Sequence, residues 1–329
     1  MQVTLTGGSG FIGTRLTARL IEEGHSVSNL DIKMSRSFPD FWLQTDVRDA
    51  QSLQNNLIGD AIVHLAAVHR DDVYPLSLYA ENNIEGARNL RRSAEANGIS
   101  KIVFTSSVAV YGFAPPDTDE FGKINPFNEY GRTKFEAELL LREWQERDPE
   151  ARSLTIIRPA VVFGEGNRGN VYNLLNQIHK GKFVMVGKGK NRKSMAYVEN
   201  LAAFLAHSLQ NPAGIHLFNY VDKPDFTMNE LVTQARSVLT GRENVGLRLP
   251  LFVGQALGNA ADAVSPVLGR KLPISSIRVK KFVSNSSFSS GAHGFRGFAA
   301  PIGLSEGLRR TLHSEFINPD PQAESFVTE

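Results

Sequence analysis

The stretch MQVTLTGGSGFIG (residues 1–13) decides the fold. Residues 3–6 predict a short buried strand, residues 11–23 predict an amphipathic helix, and a glycine-rich turn joins the two. Glycine lets such a turn tighten and lets the backbone approach a pyrophosphate, which the N–H groups of the helix N-terminus then bind. An ordinary tight turn without a ligand is the alternative interpretation. We predict that five residues hold a dinucleotide here, namely Gly7, Gly10, Phe11, Ile12 and Gly13.

The alternation of strand and helix continues through the first half of the chain. Residues 26–31, 61–65, 101–106 and 154–158 predict strands, and residues 78–97 and 129–147 predict helices. This pattern predicts an α/β fold with a Rossmann-type doubly wound parallel sheet. Residues 1–165 are expected to form the dinucleotide-binding domain. Residues 166–329 are expected to form mainly a smaller C-terminal substrate-binding lobe, with some segments returning to the first domain. The polar tail from residue 318 is expected to be loosely held.

Composition excludes several classes of function. The 36 basic residues nearly balance the 34 acidic ones, so the net charge of +2 gives no reason to expect a nucleic-acid partner. The absence of cysteine excludes disulfides, thiol catalysis and cysteine-based metal sites. His64 and His69 stand without an arranged carboxylate, so no metal site is predicted. The N-terminus lacks the pattern of a cleaved signal, which makes the cytoplasm the expected compartment.

One apolar run, residues 249–268, approaches the length of a membrane span. Asn259, Asp262 and two prolines interrupt it, so a partly buried helix pair is the favoured interpretation. A role at the membrane surface stays open because basic residues flank the run, namely Arg242, Arg248, Arg270 and Lys271.

Acidic residues follow the next two predicted strands. Asp31 ends the strand at residues 26–31, where a carboxylate accepts hydrogen bonds from a ribose 2′-OH and repels a 2′-phosphate. NAD is therefore favoured over NADP, although Lys33 and Arg36 soften that preference. Asp46 lies further along the chain and is expected to contact the adenine. A surface aspartate without a ligand is an equally good interpretation.

Tyr130 and Lys134 (YGRTK, residues 130–134) open the long predicted helix. Positions i and i+4 share one helix face, so the phenol and the ammonium point into the same cleft. A free tyrosine has a pKa of about 10, and a nearby positive charge favours the phenolate that a general base needs. Ser107 follows a strand and is predicted to hold a substrate oxygen. The alternative interpretation of Tyr130 and Lys134 is a pair of surface residues without a catalytic role. The alternative interpretation of Ser107 is a serine that caps a turn.

Together these motifs resemble the extended short-chain dehydrogenase/reductase family of NAD-dependent epimerases and dehydratases. The matching pieces are TGGSGFIG (6–13), VHLAA (63–67), ENNIEGARN (81–89), TSSVAVYG (105–112), YGRTK and IIRPAVVFG (156–164). The resemblance implies NAD as cofactor, Tyr130 as base, Lys134 as its ribose-binding partner and Ser107 as the residue that holds the reacting oxygen. It also permits a homodimer. Further contacts implied are with the cofactor at Val47, Leu65, Ala66 and Ala67, and with the substrate at Val108.

Other stretches resemble bacterial members of the family that invert C4 of N-acetylglucosamine carried on a lipid diphosphate. These stretches include residues 65–79, 167–187, 193–201, 219–225, 275–282 and 326–329. The resemblance implies a place in O-antigen synthesis and a peripheral position at the cytoplasmic face of the inner membrane. Asn170, Lys193 and Arg278 would then bind the substrate diphosphate.

Two departures bear on the carrier of the sugar. Val161 stands where nucleotide-sugar epimerases often have asparagine, and Lys193 replaces an arginine and so loses bidentate geometry. Both departures favour a carrier other than UDP. The alternatives are a UDP-sugar 4-epimerase, an NAD(P)H-dependent 4-keto-sugar reductase and a dinucleotide sensor without catalysis.

Overall fold

The computed structural model describes residues 1–70, 73–264 and 275–328. Its strands are short, and most of their residues are buried, as expected for a sheet covered on both faces. They are β1 (Gln2–Thr6), β2 (Ser26–Asp31), β3 (Trp42–Gln44), β4 (Ala61–His64), β5 (Lys101–Thr105), β6 (Ser153–Pro159), β7 (Val161–Phe163), β8 (Met185–Val186), β9 (Arg192–Tyr197), β10 (Gly214–Tyr220), β11 (Asp222–Thr227) and β12 (Arg248–Leu249).

The helices alternate with these strands through the first half of the chain. They are α1 (Phe11–Glu22), α2 (Ala50–Asn56), α3 (Ser77–Tyr79), α4 (Gly86–Ala96), α5 (Glu129–Glu146), α6 (Asn170–His179), α7 (Val198–Ser208), α8 (Met228–Thr240), α9 (Leu251–Val264), α10 (Ser276–Val283) and α11 (Leu304–Leu312). Wider π-type turns, Ala80–Glu85 and His313–Ile317, precede α4 and follow α11. The helix predicted at residues 78–97 is present as α3, a π turn and α4, which follow one another with helical dihedral angles at each junction.

Seven strands form one parallel sheet in the order β10-β6-β5-β4-β1-β2-β3, which confirms the predicted fold class. The strand order reverses at β1, which lies between β2 and β4. In doubly wound sheets ligands bind in the crevice at such a reversal, outside the carboxyl ends of the strands. β10 comes from beyond residue 165 and still forms one edge of this sheet.

Helices cover both faces of the sheet. On one face, Leu16 and Leu20 of α1 and Phe204 of α7 pack with strand residues such as Val3 in a fully buried cluster. On the other face, a second cluster joins helices α2, α4 and α5 to β4, β5 and β6, and it includes Leu53, Leu90, Leu141, Trp144, Ile62, Ile102 and Leu154. Burial of this apolar area is the main source of stability for both layers.

A smaller sheet, in the order β11-β9-β7, belongs to the second lobe. Its core contains Phe163, Met195 and Phe226 from the strands together with Leu175 of α6 and Leu231 of α8. The chain crosses between the two sheets at three places, after β6, after β9 and after β10. Two hydrogen bonds tie these crossings together, from Ala160 N to the Tyr220 carbonyl (3.0 Å) and from Tyr197 N to Asp222 Oδ2 (2.6 Å).

The apolar run at residues 249–268 forms α9 over Leu251–Val264, and residues 265–268 lie outside the described part. α9 packs against α10, which begins only at Ser276, beyond the apolar run, so the helix pair predicted within residues 249–268 stays a prediction. The two glycines of α9 face inward, since a Cβ on Gly254 would lie 2.4 Å from Val186 Cγ1 and a Cβ on Gly258 would lie 3.0 Å from the Ser276 backbone. Within the described ranges, no helix is long and apolar enough to cross a membrane.

Candidate active site

The glycine-rich turn between β1 and α1 forms a close cradle. Gly7 has φ +76°, and a Cβ there would lie 2.6 Å from Ala66 N at the exit of β4. A Cβ on Gly13 would lie 2.4 Å from Gly8 Cα. α1 begins after Gly10, and no side chain caps its N-terminus. This cradle suits a pyrophosphate, because backbone N–H groups and the helix dipole face it without an intervening side chain.

One carboxylate, Asp31, ends β2, and a second, Asp46, follows β3, as predicted. The two oxygens of Asp31 accept hydrogen bonds from Ser9 N and Lys33 N, both at 3.0 Å. The carboxylate therefore fixes the glycine-rich turn and stays partly exposed toward the crevice. Asp46 instead pairs with Arg48 at 2.6 Å, and hydrogen bonds from Arg48 lower the pKa of Asp46. The contacts of Asp31 with the ribose and of Asp46 with the adenine stay predictions, as does the contact of the cofactor with Val47.

Asn83 is a buried residue that links the cofactor side of the crevice to α5. Its Oδ1 accepts a hydrogen bond from Val68 N (2.8 Å), and its Nδ2 donates to the Val68 carbonyl (3.0 Å) and to Thr133 Oγ1 (2.9 Å). It thereby ties the loop that carries Leu65, Ala66 and Ala67 to the helix of the predicted base. The family motif contained Asn83, but no role was predicted for it.

Tyr130 and Lys134 occupy the first turns of α5, as predicted. The Asn128 side chain caps this helix by accepting a hydrogen bond from Gly131 N (2.9 Å). A Cβ on Gly131 would lie only 2.4 Å from the Ala109 carbonyl oxygen. The glycine at this position therefore lets the start of α5, with the half-buried Tyr130, lie directly against the turn that follows Ser107.

Lys134 is buried, with 2% of its surface exposed, and its Nζ lies 4.3 Å from the centroid of the Phe104 ring. Burial lowers the pKa of Lys134 to about 7, and the negative charge of Glu138 opposes that shift. Burial also lowers the pKa of neighbouring His64 to about 3, so this imidazole is neutral. A neutral His64, whose ring bonds to Thr6 Oγ1 at 2.6 Å, adds no second positive charge beside Lys134.

Ser107 caps the 3-10 turn Val108–Tyr111, with its Oγ accepting a hydrogen bond from Ala109 N (3.1 Å). The capping role considered as an alternative is thus present. It leaves the hydroxyl proton and a second lone pair for a substrate oxygen. Ser107 and Val108 are both partly exposed at the crevice. The structure thus places Ser107, Tyr130 and Lys134 at the carboxyl edge of the sheet.

A buried polar network lies behind these residues, and no role was predicted for its members. Glu138 pairs with Arg158 through two hydrogen bonds of 2.8 and 2.5 Å and also accepts one from Ser106 Oγ (2.5 Å). Arg158 Nη1 donates to Tyr111 Oη (2.6 Å). Residues 130, 134 and 138 share a spacing of four, so helical periodicity alone would have indicated that Glu138 faces the same way as Tyr130 and Lys134.

The three residues predicted to bind the substrate diphosphate lie on different elements. Asn170 is the exposed first residue of α6, which no side chain caps. Lys193 Nζ donates to the carbonyls of Lys281 (2.8 Å) and Ser284 (2.7 Å), so it fixes the C-terminal end of α10. Burial lowers the pKa of Lys193 to about 8. One of the three ammonium protons stays available for the predicted contact.

α10 carries the exposed Arg278 and also contacts the loop that precedes α5. Lys280 Nζ lies 4.6 Å from the Phe113 ring centroid, and Lys281 Nζ lies 4.9 Å from that of Phe127. The two rings stack on each other at 5.0 Å. Cation–π contacts therefore hold the second lobe against the loop between the site strand and the site helix.

The tail from residue 318 was expected to be loosely held, and residues 318–323 are exposed, whereas residues 324–328 are attached to the body of the protein. Phe326 forms backbone hydrogen bonds with Gly166 and Arg168, and its ring packs on Phe11. For residues 324–328 that expectation was wrong, because composition indicates polarity but cannot reveal backbone pairing with a distant loop.

The parallel sheet, its glycine-rich turn and the tyrosine–lysine helix define an NAD-dependent short-chain dehydrogenase/reductase of the extended type. The chain belongs to the NAD dependent epimerase/dehydratase family, which it matches over residues 3–219. NAD is therefore its cofactor. Over 329 residues, covering 99% of each chain, it is 48% identical to the N-acetyl-alpha-D-glucosaminyl-diphospho-ditrans,octacis-undecaprenol 4-epimerase of Escherichia coli O157:H7.

Solved structures with the same fold are more distant in sequence. The UDP-glucose 4-epimerase of Thermus thermophilus, solved with NAD, has a TM-score of 0.74 at 21% identity and covers 97% of this chain and 100% of its own. The UDP-N-acetylglucosamine 4-epimerase of Bacillus cereus has a TM-score of 0.74 at 17% identity, with coverage of 96% and 99%.

Proposed function

We propose that this protein is a 4-epimerase that interconverts N-acetylglucosamine and N-acetylgalactosamine linked to diphosphoundecaprenol, for O-antigen or other surface polysaccharide synthesis. The observation that carries the proposal is the placement of Tyr130, Lys134 and Ser107 at one edge of the sheet. The 48% identity over 99% of the chain to an enzyme named for this reaction supports the choice of substrate.

The chain's own residues supply the proton chemistry. Tyr130, as phenolate, takes the proton of the sugar 4-OH, and Ser107 donates a hydrogen bond to the same oxygen. Lys134, in its protonated form, favours the phenolate and binds the ribose of the cofactor. Bound NAD would supply the acceptor and then the donor of the C4 hydride. Tyr130 would return its proton to O4 when the hydride adds to the opposite face of the 4-keto sugar, so that C4 is inverted without net oxidation.

The second lobe supplies the binding site for the diphosphate. The N-terminus of α6 at Asn170 offers free N–H groups, and Arg278 presents a guanidinium on α10, which Lys193 holds in place. The half-exposed Val161 at the start of β7 provides an apolar surface where an asparagine would suit a nucleotide sugar. These residues favour a diphosphate whose other substituent is a lipid.

We also propose that the outer face of α9 lies on the membrane that holds such a substrate. Phe252 and Leu257 are 71% and 49% exposed, whereas Gly254 and Gly258 face the protein. Leu247 is exposed nearby, and the exposed Arg248 provides a positive charge beside this surface. An apolar face with a basic flank suits an anionic bilayer surface. The homodimer that the family resemblance permits is a further proposal, to be tested by light scattering.

Product analysis of purified protein on the two substrate types tests the epimerase proposal. Conversion of lipid-linked N-acetylglucosamine to lipid-linked N-acetylgalactosamine, without added NADH, is the expected result. Turnover of UDP-N-acetylglucosamine alone would assign the protein to the UDP-sugar 4-epimerases. Stoichiometric consumption of NADH or NADPH would indicate a 4-keto-sugar reductase, and NAD binding without turnover would indicate a sensor.

A further inference from the structure

Residues 324–328, here called the strap, follow an alternating pattern. The side chains of Glu324, Phe326 and Thr328 are half-buried, whereas Ser325 and Val327 are exposed. A period of two is the signature of an extended segment with one face against the protein. The strap therefore presents three side chains to the body of the protein and two to solvent.

The inward face of the strap meets three loops of the cofactor crevice. The Phe326 ring lies 5.8 Å, centroid to centroid, from the ring of Phe11, the first residue of α1. Glu324 Oε2 accepts a hydrogen bond from Ser37 Oγ (2.6 Å) in the loop after β2. The His69 ring, in the loop after β4, lies against the Thr328 backbone. These loops follow β1, β2 and β4, the strands on either side of the reversal in strand order.

The strap is also joined to the loop between β7 and α6. Phe326 N donates to the Gly166 carbonyl and Arg168 N donates to the Phe326 carbonyl, both at 2.8 Å. Thr328 Oγ1 donates to Asn167 Oδ1 (2.8 Å). Since this loop leads directly to Asn170, the strap connects the cofactor crevice with the second lobe.

We propose that the strap closes over the bound dinucleotide and slows its release, which makes Phe326 and Glu324 residues that retain the cofactor. An epimerase must keep its reduced cofactor until hydride returns to the sugar, because each lost NADH ends the cycle. The glycine-rich turn binds the pyrophosphate but cannot itself block the exit of the dinucleotide. The strap crosses the three loops that surround the opening of the cofactor crevice. This inference rests on the NAD dependence of the family and does not depend on which sugar is the substrate.

Release of NADH from the loaded protein, followed by its fluorescence after mixing with excess NAD+, tests the proposal without any sugar. Phe326→Ala is expected to release NADH about tenfold faster than the native chain, the factor that corresponds to loss of one aromatic pair. A chain ending at Ala323 is expected to release it faster still. Val327→Ala, on the outward face of the strap, is the matched control and is expected to release NADH at the native rate.

The same variants separate retention from simple packing. Native release rates for both Phe326→Ala and the shortened chain would overturn the proposal, even if unfolding of the cofactor-free protein changed. Equal acceleration in Val327→Ala would overturn it as well. If Phe326→Ala does not fold, Glu324→Ala carries the test with an expected increase of about threefold, for one lost hydrogen bond. Failure of the proposed epimerase reaction would leave these rates unchanged, so the two proposals fail separately.

Discussion

Lys134 and Phe104 form a buried cation–π pair, with the ammonium nitrogen 4.3 Å from the ring centroid. Burial lowers the pKa of Lys134 to about 7, whereas an unfolded lysine has a pKa of about 10.4. Between these values the unfolded chain holds a proton that the folded chain has released. The free energy of unfolding of the cofactor-free protein therefore gains a contribution that increases from about pH 7 to about pH 10.

Lys134→Met is expected to remove this contribution. The variant should be more stable than the native protein at pH 7, by a margin that shrinks toward pH 10 at up to about 1.4 kcal/mol per pH unit. Denaturant unfolding of the cofactor-free proteins across this range measures the difference. Substitution of the exposed Lys123 by methionine is the control. Parallel stability profiles for native and Lys134→Met would contradict the prediction.

Tyr130→Phe is expected to lower kcat by about 10²- to 10⁴-fold, the range that a single general base contributes. The ring keeps its packing, so binding of NADH should stay within a few-fold of native, as measured by fluorescence titration. Tyr74→Phe, at a highly exposed tyrosine, is the control and should retain full turnover. Full activity in Tyr130→Phe would remove this residue from the mechanism.

Glu138→Gln is expected to lower the free energy of unfolding by about 3–5 kcal/mol, because it leaves the buried Arg158 charge uncompensated. Denaturant unfolding measures the loss. Glu143→Gln removes a carboxylate that is 59% exposed where it pairs with Arg91, and it should cost less than about 1 kcal/mol. Equal losses in both variants would show that the buried network contributes no more to the free energy of unfolding than the Arg91–Glu143 pair does.

Gly7→Ala is expected to impair both stability and cofactor binding. The new methyl group would lie 2.6 Å from Ala66 N, and the alanine backbone would be strained at the left-handed φ of +76°. Gly24 has a similar φ of +79°, and a Cβ there meets nothing within 4 Å. Gly24→Ala should therefore cost only about 1–2 kcal/mol of strain and leave NADH affinity unchanged. Titration with NADH distinguishes the two, and equal affinity in both variants would count against the cradle.

Replacement of Phe252 and Leu257 by glutamate should abolish binding to vesicles that contain anionic lipid. The charges oppose insertion of the exposed α9 face into the bilayer surface. Vesicle flotation is the measurement. Ile58→Glu changes an exposed apolar residue elsewhere and should leave binding intact. Native protein that stays unbound even at low salt would refute the membrane proposal.

Much of the first domain could be predicted because its signals are local. The strand at residues 26–31, the start of α1 at Phe11 and the start of α5 at Glu129 agree with the structure. Each depends on short-range periodicity and on glycine or capping residues, which the sequence displays directly. The relation of Tyr130 to Lys134 follows from the helix repeat in the same way.

Contacts between distant segments could not be predicted. Glu138 meets Arg158 only because β6 lies beside β5 under α5, and Lys193 finds its carbonyl partners on α10, about 90 residues away. The attachment of Phe326 to Gly166 is a backbone pairing that carries no compositional signal. Such pairings depend on how the sheets assemble, which single-sequence patterns do not encode.

The three crossings between the sheets constrain how the crevice can open. β6 and β7 are separated by Ala160, β9 runs directly into α7, and β10 and β11 are separated by Val221. The hydrogen bonds from Ala160 to Tyr220 and from Tyr197 to Asp222 connect these crossings to one another. Hinge motion rotates a few residues at the ends of such strands and helices, and here the links are one residue long or absent and are bonded to one another. We therefore expect a ligand to enter the crevice mainly through movement of surface loops.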